Sequence, residues 1–412
     1  MRILHTSDWH LNDRLGRISR QGDIVKRLEE IANYLDEYKV NVMVVAGDLF
    51  SQYNRLDELK SAVGEMRDVF QPFLLGGGTI VTISGNHDNE AFFNLMRFAL
   101  DLADPIDPKK PGARPGGRLY LAAQPTYLLL EDKDGQQVQF VLMPYPTSSC
   151  YLKDEKTKYR SLDEKNSSLH QAMLEKIDLI KNKHIKPELP SVLVGHAHIR
   201  GSQIHNLYRI SEREDVVFDA VDIPTNWSYA AYGHIHKAQT LAGTTHVRYS
   251  GSIERLDRGE RDDEKSVVLV EVGPKGRTQE PAILPLNATP IYRIEINNPE
   301  QIASLKDKHA ELDRALVSYK LTYKPGEHNH DAICRELDKI FPRWYDREIV
   351  SEGSLISLKS STLVADKQDV ATTVRTYLQQ QLAGHQDKDA VLALAEKLLA
   401  DKNFVNNSEV EI

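Results

Sequence analysis

The chain has 412 residues, of which 27% are charged and 41% hydrophobic, and it carries a formal net charge of −8. This composition excludes wholesale disorder, and the length suits two or three domains with cores of their own. No apolar run approaches the ~18 residues of a membrane helix, and the acidity gives no bulk signal for nucleic acid, so such a role would need a local patch or a metal site.

The start, Met1-Arg2-Ile3-Leu4, reads as a strand rather than the basic-then-apolar run of a secretion signal. The two cysteines, Cys150 and Cys334, cannot build a disulfide framework. Both features lead to the expectation of a reducing, cytoplasmic compartment.

In chain order, Ile3-Leu4 open a short strand, and Ile24, Leu28, Ile31 and Leu35 recur at helical spacing. Val42-Met43-Val44-Val45-Ala46 is a continuous apolar run, as expected of a strand buried on both faces. A helix is predicted over 56–70, a strand over 79–83 and a helix over 92–100. Residues 104–118 hold four prolines and three glycines and read as a loop. Strands are predicted near 120–130 and 139–143 with a turn at Asp134-Gly135, then a helix over 162–183 and strands over 191–194, 228–232, 247–250 and 267–272. A boundary is expected within 281–290, followed by a small mixed α/β segment over 291–355 and a helical tail from Asp366. The alternation of strands and helices predicts a layered α/β core.

Polar residues cluster where these strands end. Asp8-Trp9-His10 follows the first strand, and an extended backbone points residues i and i+2 to one side. Gly47-Asp48, Gly85-Asn86-His87-Asp88, Gly195-His196-Ala197-His198 and Gly233-His234-Ile235-His236 follow four others. Ligands of open α/β folds gather at the carboxyl ends of strands, and a glycine there permits a sharp turn and a close backbone approach. A single histidine at a strand end is usually unremarkable and Gly-Asp is commonly only a turn. Here six of the fifteen histidines fall in these segments. Carboxylate, amide oxygen and imidazole together suit Mn²⁺, Fe²⁺ or Zn²⁺ rather than a thiolate zinc site. Seven donors exceed one ion and fit two that share a carboxylate.

The order D-x-H, G-D, G-N-H-D, H and G-H-x-H resembles the calcineurin-like metallophosphoesterase superfamily, and in detail its SbcD-like branch of DNA exonuclease subunits, the meiotic-recombination nuclease type. Ile3-Leu4-His5-Thr6-Ser7-Asp8-Trp9-His10-Leu11, Ala46-Gly47-Asp48-Leu49-Phe50, Tyr232-Gly233-His234-Ile235-His236-Lys237 and Tyr249-Ser250-Gly251-Ser252 carry the resemblance. It implies a layered β-sandwich core flanked by helices (residues 1–285), a small α/β capping, DNA-binding domain (286–360) and a C-terminal helical hairpin that docks on an ATPase (361–412). It implies two divalent ions, most often Mn²⁺ with Mg²⁺, Fe²⁺ or Zn²⁺ as alternatives. Asp8, His10, Asp48 and His236 would hold the first, and Asp48, Asn86, His196 and His234 the second. His87 would act on the phosphate as general acid or charge stabiliser, while Asp88 would either orient His87 or cap the next helix. In that family the spacing to the residue matching Gly201 implies His196 rather than His198 as the ligand.

The same resemblance implies a manganese-dependent DNA exonuclease or endonuclease. It would act in double-strand break or end processing with an SMC-type coiled-coil ATPase (SbcC-like) and as a homodimer, with no membrane partner. Two departures stand out: Asn12 occupies a position where many relatives have glycine, and Ser51 one where archaeal and eukaryotic relatives often have histidine. Arg14, Arg17 and Arg20, then Arg255, Arg258 and Arg261, recur every three residues, and Lys109, Lys110, Arg114 and Arg118 crowd the Pro/Gly loop. Each cluster either grips a DNA backbone or is a solvated surface. In the tail, Val370, Val374, Leu378 and Leu382 make one apolar line, and Val391, Leu394 and Leu398 another. These lines dock on a partner or pack on their own chain. The rival readings are a metallophosphatase or cyclic-nucleotide phosphodiesterase on the same core, and a non-catalytic scaffold of the ATPase complex.

Overall fold

The structure is a computed structural model that describes residues 1–51, 55–103, 112–152, 159–204, 216–219, 223, 226–241, 243–351, 378–379 and 388–400. Two sheets form the core. The seven-stranded one runs Gly276–Arg277, Lys265–Gly273, Arg2–Thr6, Val42–Val45, Thr79–Ile83 and Leu119–Ala122, with Ala282–Leu286 also paired to Lys265–Gly273. The six-stranded one runs Gln239–Thr240, Val247–Tyr249, Tyr229–Gly233, Ser191–His196, Gln137–Met143 and Thr126–Glu131.

Strand alternation decides which core each side chain enters. Ile3, Val42, Val44, Val81, Val268 and Val270 of the first sheet pack with Leu128, Phe140, Val192 and Ala231 of the second, forming the interior of a β-sandwich. Their neighbours Leu4, Met43, Val45 and Ile80 face the other way, onto Ile24, Leu28 and Ile31 of helix Gln21–Glu37 and Ala62, Met66 and Phe70 of helix Leu56–Leu75. Val141, Met143, Leu193, Ala230 and Tyr232 likewise meet Leu169, Met173 and Ile177 of helix Leu162–His184. Ser161 caps this last helix by accepting from the Glu164 amide at 3.1 Å, and Lys181, Lys183 and His184 lie in its final turn. The architecture is therefore mixed α/β, a sandwich flanked by helices.

Arg2–Thr6 pairs in parallel with Val42–Val45, and that strand with Thr79–Ile83. Ser191–His196 runs parallel to both Tyr229–Gly233 and Gln137–Met143. The loops after residues 6, 45 and 83 of one sheet and residues 196 and 233 of the other thus leave from carboxyl ends.

Two expected elements differ. The run 120–130 is two strands, Leu119–Ala122 and Thr126–Glu131, in different sheets. The break falls at Ala123-Gln124-Pro125, and proline cannot continue a ladder. The 281–290 boundary is cut short because Ala282–Leu286 is a strand of the first sheet, with Leu284 and Leu286 in its core.

Beyond it, Ile291–Ile296, Leu316–Tyr323 and Trp344–Ser351 form a three-stranded sheet, and helix His330–Ile340 supplies Leu337 to a separate core with Ile296, Val317, Leu321 and Phe341. Arg343 ties this segment to the first helix, donating to Asp23 Oδ1 at 2.9 Å. By internal contacts the chain falls into two compact units, Met1–Arg347 with Ser351–Gly353, and Glu348–Val350 with Ser354–Ile412. In the second, helix Lys388–Ala400 is described, with Val391 and Leu394 exposed and Leu392 half-buried. Leu378 is half-buried, while Val370, Val374, Leu382 and the Leu398 side chain lie outside the described residues. Among the described residues, no helix is long and apolar enough to cross a membrane.

Candidate metal centre

All seven expected donors meet where the two sheets' carboxyl ends converge. Asp8 and His10 follow Arg2–Thr6, Asp48 follows Val42–Val45, and Asn86 follows Thr79–Ile83; His196 ends its strand, and His234 and His236 follow Tyr229–Gly233. Asp8, His10, Asp48, His196, His234 and His236 are buried, and Asn86 is half-buried. His10 Nε2 lies 3.2 Å from His236 Nε2 and 3.6 Å from Asp48 Oδ2. His196 Nε2 lies 3.3 Å from Asp48 Oδ2 and 3.0 Å from Asn86 Oδ1, which is itself 2.9 Å from His234 Nδ1. Two trios bring their donor atoms within 4.8 Å of one another: Asp8, His10 and His236, and Asp8, Asp48 and His196.

The backbone is bent to make this convergence. Asp8, His10, Asp48 and His234 all have positive φ, at 52°, 46°, 54° and 94°. Left-handed backbone costs non-glycine residues of order 1–3 kcal/mol each and concentrates at functional sites. Asn12 shares it, with φ 68°, which suits the residue type. Glycines permit the closest approaches: a Cβ on Gly85 would lie 2.0 Å from Asp48 Oδ1, and one on Gly233 2.0 Å from the Ala46 carbonyl oxygen.

The donor set fits a cation. The Ala46 carbonyl accepts from His196 Nδ1 at 2.7 Å, so this nitrogen carries the proton. Nε2 then turns a lone pair toward two oxygens, an arrangement that only a proton or a cation can relieve. Burial lowers the His196 pKa, but Asp48 and then Asp8 outweigh it and lift the ring to about 9. Burial alone would raise Asp48, yet the facing His196 and then His10 hold it well below the usual carboxylate range. Burial holds His10 well below the ordinary imidazole value. The raised His196 marks the place where metal and proton compete, while Asp48 and His10 stand deprotonated as ligands must.

A comparison with protein families matches residues 1–238 to the calcineurin-like phosphoesterases. This chain belongs to that family. Among curated relatives, the SbcD component of the SbcCD nuclease of Escherichia coli K12 is 29% identical over 282 residues, covering 66% of this chain and 64% of that protein. The protein of the same name from Bacillus subtilis is 26% identical, covering 66% and 67%, and that from Staphylococcus epidermidis 24%, covering 66% and 66%. The alignment therefore spans just under two thirds of the length of the Escherichia coli relative.

Around the phosphoesterase centre, His87 is half-buried, with its ring 4.9 Å from that of His10 and its amide donating to Asp48 Oδ1 at 2.8 Å. Burial lowers its pKa. His198 is buried with its ring 6.5 Å from that of His234. Asp88 does not take the helix cap. Its carboxylate accepts from the Phe50 amide at 3.0 Å and the Gly85 amide at 2.8 Å, stapling the Asp48 and Asn86 loops together, and the helix Glu90–Ala103 is capped by Asn89 instead. Burial, with the Asp48 charge beside it, raises the Asp88 pKa to about 7.

The basic clusters separate. Arg20 is fully buried, donates to Asp23 Oδ2 at 2.9 Å and bonds the Arg255 carbonyl, so it has no surface to offer a phosphate. Arg255 is consumed likewise by the carbonyls of Asp263, Ala288 and Thr289. Arg17 lies over the Trp344 ring at 3.9 Å and donates to its carbonyl. Arg14 and Arg258 are exposed, and Arg261 pairs with Asp262. Lys109 and Lys110 lie outside the described residues.

Sequence reasoning missed Glu260, which reaches His236 Nδ1 at 2.8 Å, and Ser7, whose hydroxyl donates to Asp8 Oδ2 at 2.5 Å. Glu260 sits in the run Asp257-Arg258-Gly259-Glu260-Arg261-Asp262-Asp263-Glu264, which reads as a solvated charge tract. Ser7 lies in the motif itself, and its adjacency to Asp8 was the available signal.

Proposed function

We propose that this protein is a manganese-dependent DNA nuclease that cuts phosphodiester bonds in double-strand break or end processing, as one component of a larger complex. The observation that carries the reading is the convergence of seven metal-type donors in a phosphoesterase whose curated relatives are named as parts of a nuclease. Asp8, His10, Asp48 and His236 would hold one ion, and Asp48, Asn86, His196 and His234 the other. When bound, two divalent ions polarise the phosphate and lower the pKa of an attacking water.

The chain's own groups supply the rest. Positive-φ turns at Asp8 and Asp48 aim both carboxylates inward before any ligand arrives, which reduces the ordering left to occur on binding. His87 stands half-exposed beside the donors, and as a neutral imidazole it offers an N–H to a phosphate oxygen or to the leaving sugar oxygen. Exposed Arg14 and Arg258 are the candidates to hold the DNA backbone.

Residues 286–360 would act as a capping and DNA-binding domain, and 361–412 as a docking segment for an SMC-type ATPase. The exposed Val391 and Leu394 of helix Lys388–Ala400 support docking. A homodimer is supported by helix Glu90–Ala103, which exposes Leu95 (63%), Phe98 (58%) and Leu102 (85%) along one line. We place the protein in the cytoplasm.

The test is Mn²⁺-dependent cleavage of single-stranded DNA by the purified full chain. Release of nucleotides that EDTA abolishes is expected. Efficient hydrolysis of aryl phosphates or cyclic nucleotides with DNA left intact would overturn the nuclease reading.

A further inference from the structure

We infer that Glu260 is a positioning residue of the metal centre, fixing the ring of His236 so that its Nε2 faces the ions. This rests on the metal-site reading above. Glu260 is fully buried, and its Oε1 lies 2.8 Å from His236 Nδ1. An ionised carboxylate only accepts, so Nδ1 carries the proton and Nε2 presents its lone pair. That Nε2 is the atom 3.2 Å from His10 Nε2.

The contact is built from several sides. The other Glu260 oxygen accepts from Lys265 Nζ at 2.5 Å and from Ser252 Oγ at 2.9 Å. Lys265, also buried, donates as well to the His236 carbonyl at 3.1 Å and to Asp263 Oδ2 at 3.3 Å. The Ser252 amide donates to the same His236 carbonyl at 3.1 Å. His236 is therefore held at its ring by the carboxylate and at its backbone by the partners of that carboxylate. Glu260 itself ends the short helical turn Arg258–Glu260, whose preceding Asp257 accepts from the Gly259 amide.

The comparison with His196 makes the point sharper. Its outer nitrogen donates to a neutral carbonyl, whereas that of His236 meets a charged carboxylate. A charge-assisted bond to the outer nitrogen makes the inner one a stronger donor to metal. A buried ion pair is poor evidence for stability alone, since apolar groups of equal volume often do as well. The Glu260–Lys265 pair is accounted for by what it does to His236.

The test uses the full chain stripped of metal with EDTA, with Mn²⁺ titrated by calorimetry. Glu260→Gln is expected to weaken one of the two ions by about 10–100-fold and to leave the other unchanged. Glu260→Asp keeps the charge that Lys265 needs but withdraws from the ring, and should weaken the same ion. Histidine ¹⁵N NMR of the metal-free wild type should show His236 protonated at Nδ1, a readout that depends on no variant. Wild-type Mn²⁺ affinity in both variants, or a His236 protonated only at Nε2, overturns the inference and leaves Glu260 as a structural charge. A wild-type chain that takes up no divalent ion overturns the metal-site reading itself.

Discussion

Asp48 and His196 face each other across the two sheets, Oδ2 to Nε2 at 3.3 Å, each buried and each shifting the other toward its charged form. Asp48 also lies 3.6 Å from His10 and accepts the His87 amide, so one carboxylate touches groups from three other strands. Asp48→Asn should therefore weaken both ions, because the shared oxygen loses its charge. Mn²⁺ calorimetry on the full chain reads this directly, and loss of a single ion would show that Asp48 serves one site.

His87 contributes its amide to Asp48 while its ring stays half-buried. His87→Ser keeps that amide. Both ions should remain bound, while DNA cleavage falls by ~10²-fold or more, the range expected for loss of a positioned acid or charge stabiliser. Elemental analysis beside the cleavage rate separates this from a role as ligand.

Gly233→Ala should damage the fold. Its Cβ would stand 2.0 Å from the Ala46 carbonyl oxygen and 2.8 Å from Ser7 Cβ, at the end of its strand where the two sheets close on each other. Overpacking of this kind costs about 1–3 kcal/mol, and it displaces the adjacent His234. Gly64→Ala is the control. It lies inside helix Leu56–Leu75 with nothing within 4 Å of the new atom, and should stabilise by up to ~1 kcal/mol. Thermal melts of both variants should move in opposite directions.

His5 should make the protein acid-sensitive. Burial, then the Arg248 charge, lowers its pKa from 6.5 to about 3, and its Nδ1 lies 2.9 Å from the Tyr229 hydroxyl. The unfolded chain takes up a proton below about 6.5 that the folded one refuses. The stability from neutral His5 is thus complete above pH 6.5 and is lost progressively as pH falls toward 3. His5→Phe should flatten the stability profile between pH 4 and 6, by up to ~1.4 kcal/mol per pH unit. Urea titrations of the metal-free proteins across that range measure the difference.

The arginines divide into two classes with different phenotypes. Arg14→Ala with Arg258→Ala should leave stability within about 0.5 kcal/mol, while lowering DNA affinity and its salt dependence by one or two phosphate contacts. Arg20→Ala should instead destabilise, since it strips a buried guanidinium from Asp23 and Glu254. DNA binding at several salt concentrations, together with thermal melts, distinguishes the two.

The strand runs of the sandwich were legible in the sequence because alternation and apolar runs are local signals. Val42 to Ala46 reads as doubly buried, and it divides its side chains between two cores. The strand-end positions of Asp8, His10, Asp48, Asn86, His196, His234 and His236 were legible too, since five strands each ended in such polar residues, four of them after a glycine. The tertiary structure alone decided the rest. Arg14, Arg17 and Arg20 share one spacing, yet two are exposed, one of them stacked on Trp344, and the third is buried. Asp88 reads as a neighbour of His87, and only the fold shows that its carboxylate also staples two loops. Glu260 hides in a charge tract and meets a histidine 24 positions away. Whether a charge is solvated or buried depends on partners distant in the chain, and spacing along the sequence carries no record of them.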